Sequence, residues 1–287
     1  MTISDSPGAP ARPDSSTTSR GTVPATLDSA LRAADRLRAR AWETVASTSV
    51  DAMVKATEKM PPTPQLKLAM AASGTLFSGF TVVHMLGNLQ VYQGREAFDG
   101  YARFLRTVGS PVLPEKTLLW AFRVTMLAAT ATHVTCAAAL TVRAQQAASR
   151  PRGQKRLRPR GRRRRPWDVA KRSMRSTGVV LGLFTAHHIA DLTVGARPAA
   201  AEHVQGAAYD NLVRSLRRPA VAALYLAAMT ALAAHTAQGL TQVGNDTGLS
   251  TDRAVREKLE LAGRLAGTGV ALANASIPLA VQLRIVR

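Results

Sequence analysis

Five long segments with almost no charged residues constrain this chain more than any other feature of its sequence. They cover about residues 68–89, 118–142, 177–194, 221–240 and 261–281. Apolar stretches of about 18 residues or more predict transmembrane helices, because about 20 helical residues cross the hydrocarbon core of a bilayer. The fifth segment is the weakest candidate, since it contains Arg264 and Asn274. The pattern predicts an all-α integral membrane bundle of five transmembrane helices.

The average composition conceals this pattern. Mean hydropathy is -0.03 and the formal net charge is +20, because charge is concentrated outside the five segments. Residues 150–175 contain thirteen Lys or Arg and one acid, Asp168. A short basic loop between two membrane spans indicates the cytoplasmic side, and it is compatible with attraction to anionic lipid headgroups. We favour this interpretation of the Arg-rich loop, residues 143–175, over nucleic-acid binding, so no nucleic-acid partner is expected.

The basic loop sets the expected orientation and domain organisation. A multi-pass protein of the cytoplasmic (plasma) membrane with this loop inside has a cytoplasmic N-terminus and an external C-terminus. Residues 1–62 are rich in Ser, Thr, Pro, Ala and Arg, which predicts a disordered or partly helical cytoplasmic extension. Its start has no apolar region of the kind that a signal peptide requires. Residues 63–287 are then the five-span membrane domain.

Each of the first four segments contains a histidine that stands out in its apolar surroundings: His84, His133, His188 and His235. Odd-numbered spans run outward and even-numbered spans run inward. His84 and His188 lie past the midpoints of outward spans, in the outer half of the membrane. His133 and His235 lie past the midpoints of inward spans, in the inner half. Depth therefore predicts an outer pair, His84 with His188, and an inner pair, His133 with His235.

Two levels of paired imidazoles favour two haems, each held by two histidines inside a four-helix core, since axial ligation needs one neutral imidazole on each side of the iron. The alternative is that the histidines form hydrogen bonds between helices, as polar residues in membrane bundles do. Four histidines at two matched depths favour ligation, because ionisable groups in a membrane are costly and usually functional. Depth does not separate His188 from the adjacent His187, which differ by only about 1.5 Å along a helix.

Several motifs carry a resemblance to a known family. The segments are KLAMAASGTLFSGFTVVHMLGNLQVYQG, EAFDGYARFL, MRSTGVVLGLFTAHHIADLTVG, YDNLVRSL and HTAQGLTQVG. They resemble the single-chain, five-helix, di-haem cytochrome b subunit that anchors succinate dehydrogenases and fumarate reductases in the membrane, over about residues 64–285. The family pattern H-x-x-D-L-T matches 188–193, so the resemblance implies that His188 is a haem ligand and His187 a neighbour.

Two positions depart from the family pattern. The family's Tyr-His-Asn run appears here as Tyr209, Asp210 and Asn211, and the usual second histidine after the fourth-span ligand is replaced by Gln238. Neither departure affects the four candidate ligands, but both weaken any assignment of a quinone site to the loops.

The resemblance implies a set of cofactors and partners. Two haem b groups, ligated by His84, His133, His188 and His235, would carry electrons between quinone, expected to be menaquinone, and an iron–sulfur subunit. That subunit and a flavoprotein subunit would dock on the cytoplasmic face, and the whole complex could associate further through the membrane bundle. The chain itself would be an electron-transfer subunit without succinate chemistry of its own. It has no nucleotide-binding fingerprint, and its single cysteine, Cys136, excludes a Cys-rich metal site.

Haem propionates need cationic partners, and the candidates are Arg123 at the outer end of the second span and Arg175 at the inner end of the third. Anchoring to lipid headgroups is the alternative role of both arginines.

The candidate quinone site is in the outer connection, where Tyr101 offers a hydroxyl and Asp99 a carboxylate near the outer haem. An inner site near Ser73 and Lys67 is the alternative.

Two other functions fit parts of the sequence. A di-haem, quinone-reactive cytochrome b of another respiratory dehydrogenase would also hold each haem between two histidines. It would lack the H-x-x-D-L-T pattern. A haem-free membrane anchor or transporter would use the histidines in hydrogen bonds or proton relay, and a transporter is expected to show repeated halves with helix breakers near mid-span.

Overall fold

The computed structural model describes residues 36, 52, 54–149 and 173–287. Within these residues every regular element is helical, which confirms the all-α prediction. Most of the predicted extension and residues 150–172 of the Arg-rich loop lie outside the described residues.

In the described part of the chain, five long helices form the bundle, and two short helices lie at one end of it. The long helices are α1 (Thr63–Asn88), α3 (Thr117–Ser149), α4 (Met174–His188), α6 (Pro219–Asp246) and α7 (Arg253–Gln282), and the short ones are α2 (Arg95–Thr107) and α5 (Ala208–Leu216). A 3-10 turn, Leu89–Gln93, continues α1, and a π-helical turn, Ile189–Val194, continues α4. All five long elements have the length and apolar composition to span a membrane. The five-helix membrane fold is therefore confirmed.

The helices extend beyond the predicted spans because the apolar pattern marks only the part that faces hydrocarbon. The fifth helix shows this best, since it begins at Arg253 rather than near residue 261. Asp252 caps it by accepting a hydrogen bond from the Ala254 N–H at 2.8 Å. An ion pair of 2.9 Å between Arg253 and Glu257 follows in the first turns. A cap and an i,i+4 ion pair thus support the polar first turns of this helix.

The compact membrane unit begins at Ala56, several residues before the predicted boundary at 62/63. The Arg143 guanidinium, near the end of α3, donates to the carbonyls of Thr57 at 2.9 Å and Met60 at 3.2 Å, and to Thr63 Oγ1 at 3.1 Å. These bonds attach the segment before α1 to α3. The boundary therefore depends on a long-range contact, which local composition does not reveal.

The two ends of the bundle differ in composition. The end at which α3 stops and α4 starts, called here the basic end, is joined by the Arg-rich tract, and the opposite end is the distal end. α2, α5 and the loop between α4 and α5 form a layer at the distal end. Asp99 accepts a hydrogen bond from the Tyr209 N–H at the start of α5, and Arg95 forms an ion pair with Asp210. Residues 209–211, where the sequence departs from the family pattern, thus take part in the contacts of this layer.

The close packing of α6 on α7 depends on small residues. A Cβ built on Gly263 would lie 2.7 Å from the carbonyl oxygen of Ala237, and one on Gly267 would lie 2.7 Å from that of Ala233. Contacts this short exclude any side chain, so the two backbones meet directly, as in membrane helix pairs with small residues every fourth position. By contrast, a Cβ on Gly269 would meet no atom within 4 Å.

Gly267→Ala should therefore lower the stability of the detergent-solubilised protein by about 1–3 kcal/mol through overpacking, although alanine is the better helix former. Gly269→Ala, on an open face of the same helix, is the matched control and should not lower it. The measurement is the apparent Tm of each variant in one detergent. Equal Tm values for the two variants would contradict the proposed backbone contact.

Candidate functional site

The structure brings the four predicted histidines together as two pairs. The ring centroids of His84 and His188 lie 5.8 Å apart with planes at 88°. Those of His133 and His235 lie 6.3 Å apart with planes at 60°. The first pair joins α1 to α4 and the second joins α3 to α6. Extended helix packing instead joins α1 with α3 and α6, and α4 with α6. The histidines therefore face each other across the two gaps of the four-helix core.

The pairs occupy two levels along the bundle. Ser73 on α1 and Thr177 on α4 contact the rings of His133 and His235, respectively. Each hydroxyl residue stands eleven positions before the outer-level histidine of its own helix. At 1.5 Å per residue, this places the two levels about 16 Å apart.

The hydrogen bond to Ser73 fixes which nitrogen of His133 carries the proton. Ser73 Oγ lies 2.9 Å from the Ala69 carbonyl oxygen and 3.1 Å from that of Met70, and it donates its only hydrogen there. His133 Nδ1 lies 3.0 Å from the same Oγ. With the hydroxyl hydrogen directed to these carbonyls, the oxygen accepts from Nδ1–H. His133 is then the Nδ1–H tautomer, with an unprotonated Nε2.

His235 has the same arrangement on the other half of the bundle. Thr177 Oγ1 donates to the Ser173 carbonyl at 2.8 Å and lies 3.1 Å from His235 Nδ1. The inner pair in these tautomers has two unprotonated Nε2 atoms on rings whose centroids lie 6.3 Å apart between α3 and α6. Two lone pairs cannot bond to each other, but both can bind a metal that lies between them.

The ring separations test whether a metal fits between the histidines. A direct N–H···N bond of about 3 Å would hold the ring centroids within about 5.4 Å of each other. Two imidazole–metal bonds of about 2 Å each would hold them about 6 Å apart. The 6.3 Å of the inner pair fits the second geometry, and the 5.8 Å of the outer pair lies between the two. Interhelical hydrogen bonds do exist here, as the alternative proposed, but they use Nδ1 and hydroxyl groups.

The donor set also limits the kind of metal centre. Among residues 54–149 and 173–287, no group of three or more His, Cys, Asp or Glu side chains could hold a metal ion. A bare ion held by protein ligands usually needs at least three of them. Pairs of imidazoles suit a metal whose other coordination positions are already filled, as the iron of haem is.

The outer pair has a different environment. His188 Nδ1 lies 3.0 Å from the Tyr225 hydroxyl on α6. The His84 ring stacks on Phe80, with centroids 5.1 Å apart and planes at 26°, and Phe184 lies 5.7 Å from His188. No hydrogen bond to the His84 ring occurs within the described part of the chain. One ring of the outer pair is thus fixed by a hydroxyl and the other by aromatic packing.

A repeat relates α1 to α4. Both helices contain a hydroxyl residue followed by glycine, then Phe-Thr, then the outer-level histidine. The matching residues are Ser73-Gly74, Phe80-Thr81 and His84 in α1, and Thr177-Gly178, Phe184-Thr185 and His188 in α4. The pattern [ST]-G-x5-F-T-x2-H aligns His188, and not His187, with His84. Sequence reasoning alone missed Thr177 and Tyr225, although alignment of the first and third spans on their histidines would have revealed Thr177.

The glycine of each repeat lies directly beside a ring from the next helix. A Cβ on Gly74 would lie 3.5 Å from His133 Cε1, and one on Gly178 would lie 3.3 Å from His235 Cε1. The adjacent hydroxyl binds Nδ1 of the same ring. Each two-residue unit thus contacts both the Cε1 and the Nδ1 atoms of one inner histidine.

The other two described histidines lie outside the pairs. His187 Nε2 is 3.8 Å from Asp191 Oδ2. The His203 ring packs over Gly195, where an added Cβ would lie 2.5 Å from it.

The predicted propionate partners lie at the expected ends of their helices. Arg123 stands over the ring of Trp120 at 5.0 Å, and Arg175 is exposed on the first turn of α4.

The predicted quinone residues have structural contacts. Asp99 accepts the Tyr209 N–H at 2.9 Å. Tyr101 packs on Gly87, where an added Cβ would lie 2.5 Å from the tyrosine ring. In the alternative inner site, Lys67 forms an ion pair of 3.1 Å with Asp246.

A buried ionic cluster follows His188 on the chain. Asp191 is 3% exposed and lies in the π-helical turn. It accepts hydrogen bonds from Ser215 Oγ and from Arg218 Nη2, the latter at 3.0 Å. Arg218 Nη1 also donates to the Ala199 carbonyl at 2.7 Å. The cluster joins the end of α4 to the distal loop and to the α5–α6 corner, which fixes the direction in which α4 leaves the outer pair.

The fold and the site together define a multi-pass helical membrane protein with two levels of paired histidines between its helices. Comparison of the chain with protein-family models, curated proteins and solved structures gave no match.

Asp191→Asn should destabilise the protein by about 3–5 kcal/mol, because it leaves the partly buried Arg218 charge without its partner. Glu257→Gln, which removes the exposed ion pair with Arg253, is the control and should change stability by less than about 1 kcal/mol. Apparent Tm in detergent and limited proteolysis of the distal loop measure the effect. A Tm for Asp191→Asn equal to that of the control would show that the cluster does not hold the distal end.

Proposed function

We propose that this chain is a di-haem cytochrome b that anchors a succinate:quinone oxidoreductase in the cytoplasmic membrane. His84 and His188 hold the outer haem, and His133 and His235 hold the inner one. The N-terminus and the basic end face the cytoplasm, and the C-terminus is external.

The observation that carries this proposal is the inner pair. Ser73 and Thr177 each have a backbone carbonyl of the preceding turn for their hydroxyl hydrogen and lie at hydrogen-bond distance from Nδ1 of an inner histidine, an arrangement that favours the tautomers with unprotonated Nε2 atoms. Their ring separation of 6.3 Å is longer than a direct hydrogen bond allows and fits a shared metal. The outer pair, at 5.8 Å, has a similar separation. The resemblance of the histidine-bearing segments to the cytochrome b anchors of succinate dehydrogenases supports the same conclusion.

Bound haem supplies reversible one-electron transfer at its iron. The chain contributes the binding site and the environment. Ser73 and Thr177 orient the inner imidazoles and increase their basicity as ligands. Tyr225 does the same for His188 if its hydroxyl accepts from Nδ1–H. The aromatic rings of Phe80 and Phe184 shield the outer pair from lipid and water.

The proposed complex gives each end of the bundle a different role. An iron–sulfur subunit, with a flavoprotein subunit behind it, docks at the basic end and exchanges electrons with the inner level. The outer level lies about 16 Å further along the helices. Menaquinone in the bilayer is the expected electron partner. The chain has no succinate chemistry of its own in this proposal.

Single histidine variants test the proposal through haem content. The purified wild-type chain, made with ample haem, should contain two b haems in a pyridine haemochrome assay. His84→Ala and His188→Ala should each lose the same spectral component, and His133→Ala and His235→Ala the other. Because the two members of a pair serve one metal, the double variant His84→Ala/His188→Ala should lose no more haem than either single variant.

His187→Ala and His203→Ala are the matched controls, and both should retain two haems. A wild-type chain without haem would refute the proposal. Loss of haem on replacement of His187, with retention on replacement of His188, would refute the outer-level assignment.

Ser73→Ala should raise the midpoint potential of the inner haem by tens of millivolts and leave the outer haem unchanged. Without an acceptor for Nδ1–H, His133 is a weaker base and stabilises ferric iron less well, and a tenfold change in relative affinity corresponds to about 59 mV. Thr177→Val should act in the same direction. Ser78→Ala is the control, because Ser78 Oγ bonds only to the Gly74 carbonyl. Redox titration of both components measures the shift, and a change confined to the outer component would contradict the tautomer assignment.

A further inference from the structure

A cleft of about 350 Å³ opens at the basic end of the bundle, between the first turns of α1 and the end of α6. The residues that line it are Thr63, Pro64, Lys67, Leu68, Asn245 and Asp246. Lys67 stands six residues before Ser73, so it lies about 9 Å beyond the inner histidine level. If the midplane of the bilayer is halfway between the two levels, Lys67 lies about 17 Å from it. Because half of the hydrocarbon core is about 15 Å thick, the cleft is at the depth of the lipid headgroups.

The carboxylate of Asp246 has one oxygen that the protein leaves without a donor. Asp246 is the last residue of α6, where the helix dipole disfavours an anion, and its side chain is 5% exposed. Lys67 Nζ, at 3.1 Å, and Gln242 Nε2, at 2.9 Å, both donate to Oδ1. No described residue donates to Oδ2, and Oδ2 is not among the fully enclosed unpaired atoms of this part of the chain. It is therefore an accessible acceptor in the cleft.

The ammonium of Lys67 supplies donors beside this acceptor. Its side chain is 44% exposed, and an ammonium has three hydrogens, of which the described contacts use one, for Asp246. Arg143 is the nearby cation, but its guanidinium is occupied by Thr63 Oγ1 and by two carbonyls of the segment before α1. The cleft thus offers one cation and one anion side by side at the depth of the headgroups. Such a pair suits a ligand that itself has both charges.

We propose that this cleft binds the headgroup of a phospholipid with a primary amine, such as phosphatidylethanolamine, from the leaflet at the basic end. Lys67 Nζ donates to the lipid phosphate, and Asp246 Oδ2 accepts from the lipid ammonium. Pro64 and Leu68, the latter 51% exposed, provide apolar contacts beside the headgroup. The inference depends on the membrane-spanning fold alone and is independent of haem.

The charges of the cleft define its selectivity among phospholipids. Phosphatidylglycerol has a phosphate for Lys67 but no cation for Asp246. Phosphatidylcholine has a quaternary ammonium, which has no N–H to donate to a carboxylate. Only the primary amine completes both interactions, since charge-assisted hydrogen bonds are the strong ones.

Native mass spectrometry of the full-length chain, freed of copurified lipid in detergent, tests the inference. The probes are phosphatidylethanolamine, phosphatidylcholine and phosphatidylglycerol with identical acyl chains, in an equimolar mixture. The wild-type chain should retain phosphatidylethanolamine about tenfold more than either other lipid, because one hydrogen bond between charged groups separates them. The N-methyl and N,N-dimethyl derivatives should be retained to intermediate degrees, since each methyl group removes one N–H donor.

Variants locate the selectivity in the cleft. Asp246→Asn keeps the size of the side chain but removes its charge, and it should abolish the preference for phosphatidylethanolamine over phosphatidylcholine. Lys67→Gln should lower the retention of phosphatidylethanolamine, and Lys67→Arg, which keeps a cation for the phosphate, should restore it. Glu257→Gln is the matched control. It removes an exposed carboxylate that is also paired with a cation at the basic end but lies outside the cleft, and it should keep the preference.

The opposite results would overturn the inference. Equal retention of phosphatidylethanolamine and phosphatidylcholine by the wild-type chain, or equal retention along the methylated series, would do so without any variant. A preference for phosphatidylglycerol would make the cleft an anion site. An unchanged preference in Asp246→Asn, or an equal loss in Glu257→Gln, would remove Asp246 from the site. If Asp246→Asn fails to fold, the methylated series on the wild-type chain decides.

Discussion

The hydrogen bond between a helix hydroxyl and the imidazole of the next helix is the interaction on which the rest of this site depends. In a bilayer the hydroxyl of a serine or threonine normally donates a hydrogen bond to a backbone carbonyl one turn earlier. Ser73 and Thr177 both have such a carbonyl within reach. The oxygen lone pairs remain available, and each accepts an Nδ1–H. One unremarkable feature of membrane helices thus decides the tautomer of a histidine on a neighbouring helix.

The bundle is built so that these gaps persist. α1 packs on α3 and α6, and α4 packs on α6, whereas the helices that share a histidine pair do not pack extensively on each other. The fifth helix supports this arrangement from outside, because Gly263 and Gly267 let it lie directly against the backbone of α6. At the distal end, Asp191 and Arg218 hold α4 to the α5–α6 corner. The extensive contacts therefore lie beside the histidine pairs and not between the helices that carry them.

Each level has two histidines, but the side chains that contact the histidine rings differ between the two levels. Both inner rings have a hydroxyl at Nδ1, whereas the outer level has one hydroxyl, from Tyr225, and a stacked aromatic ring. Hydrogen bonding to ligands and the polarity of the surroundings are among the means by which a protein sets the potential of an iron centre. In the proposed cytochrome, this asymmetry gives the two levels different potentials.

The sequence by itself determined the number of spans, the helical class and the depth of each histidine, because hydropathy and a rise of 1.5 Å per residue are local properties. Depth was enough to group His84 with His188 and His133 with His235. The tertiary structure decided which helices touch, and therefore that Ser73 and Thr177 serve the inner rings. It also decided that Asp99 caps α5, that Arg143 extends the membrane unit back to residue 56, and that Lys67 meets Asp246 in a cleft. Those contacts join residues far apart in the chain, so their energies depend on packing that no local pattern encodes.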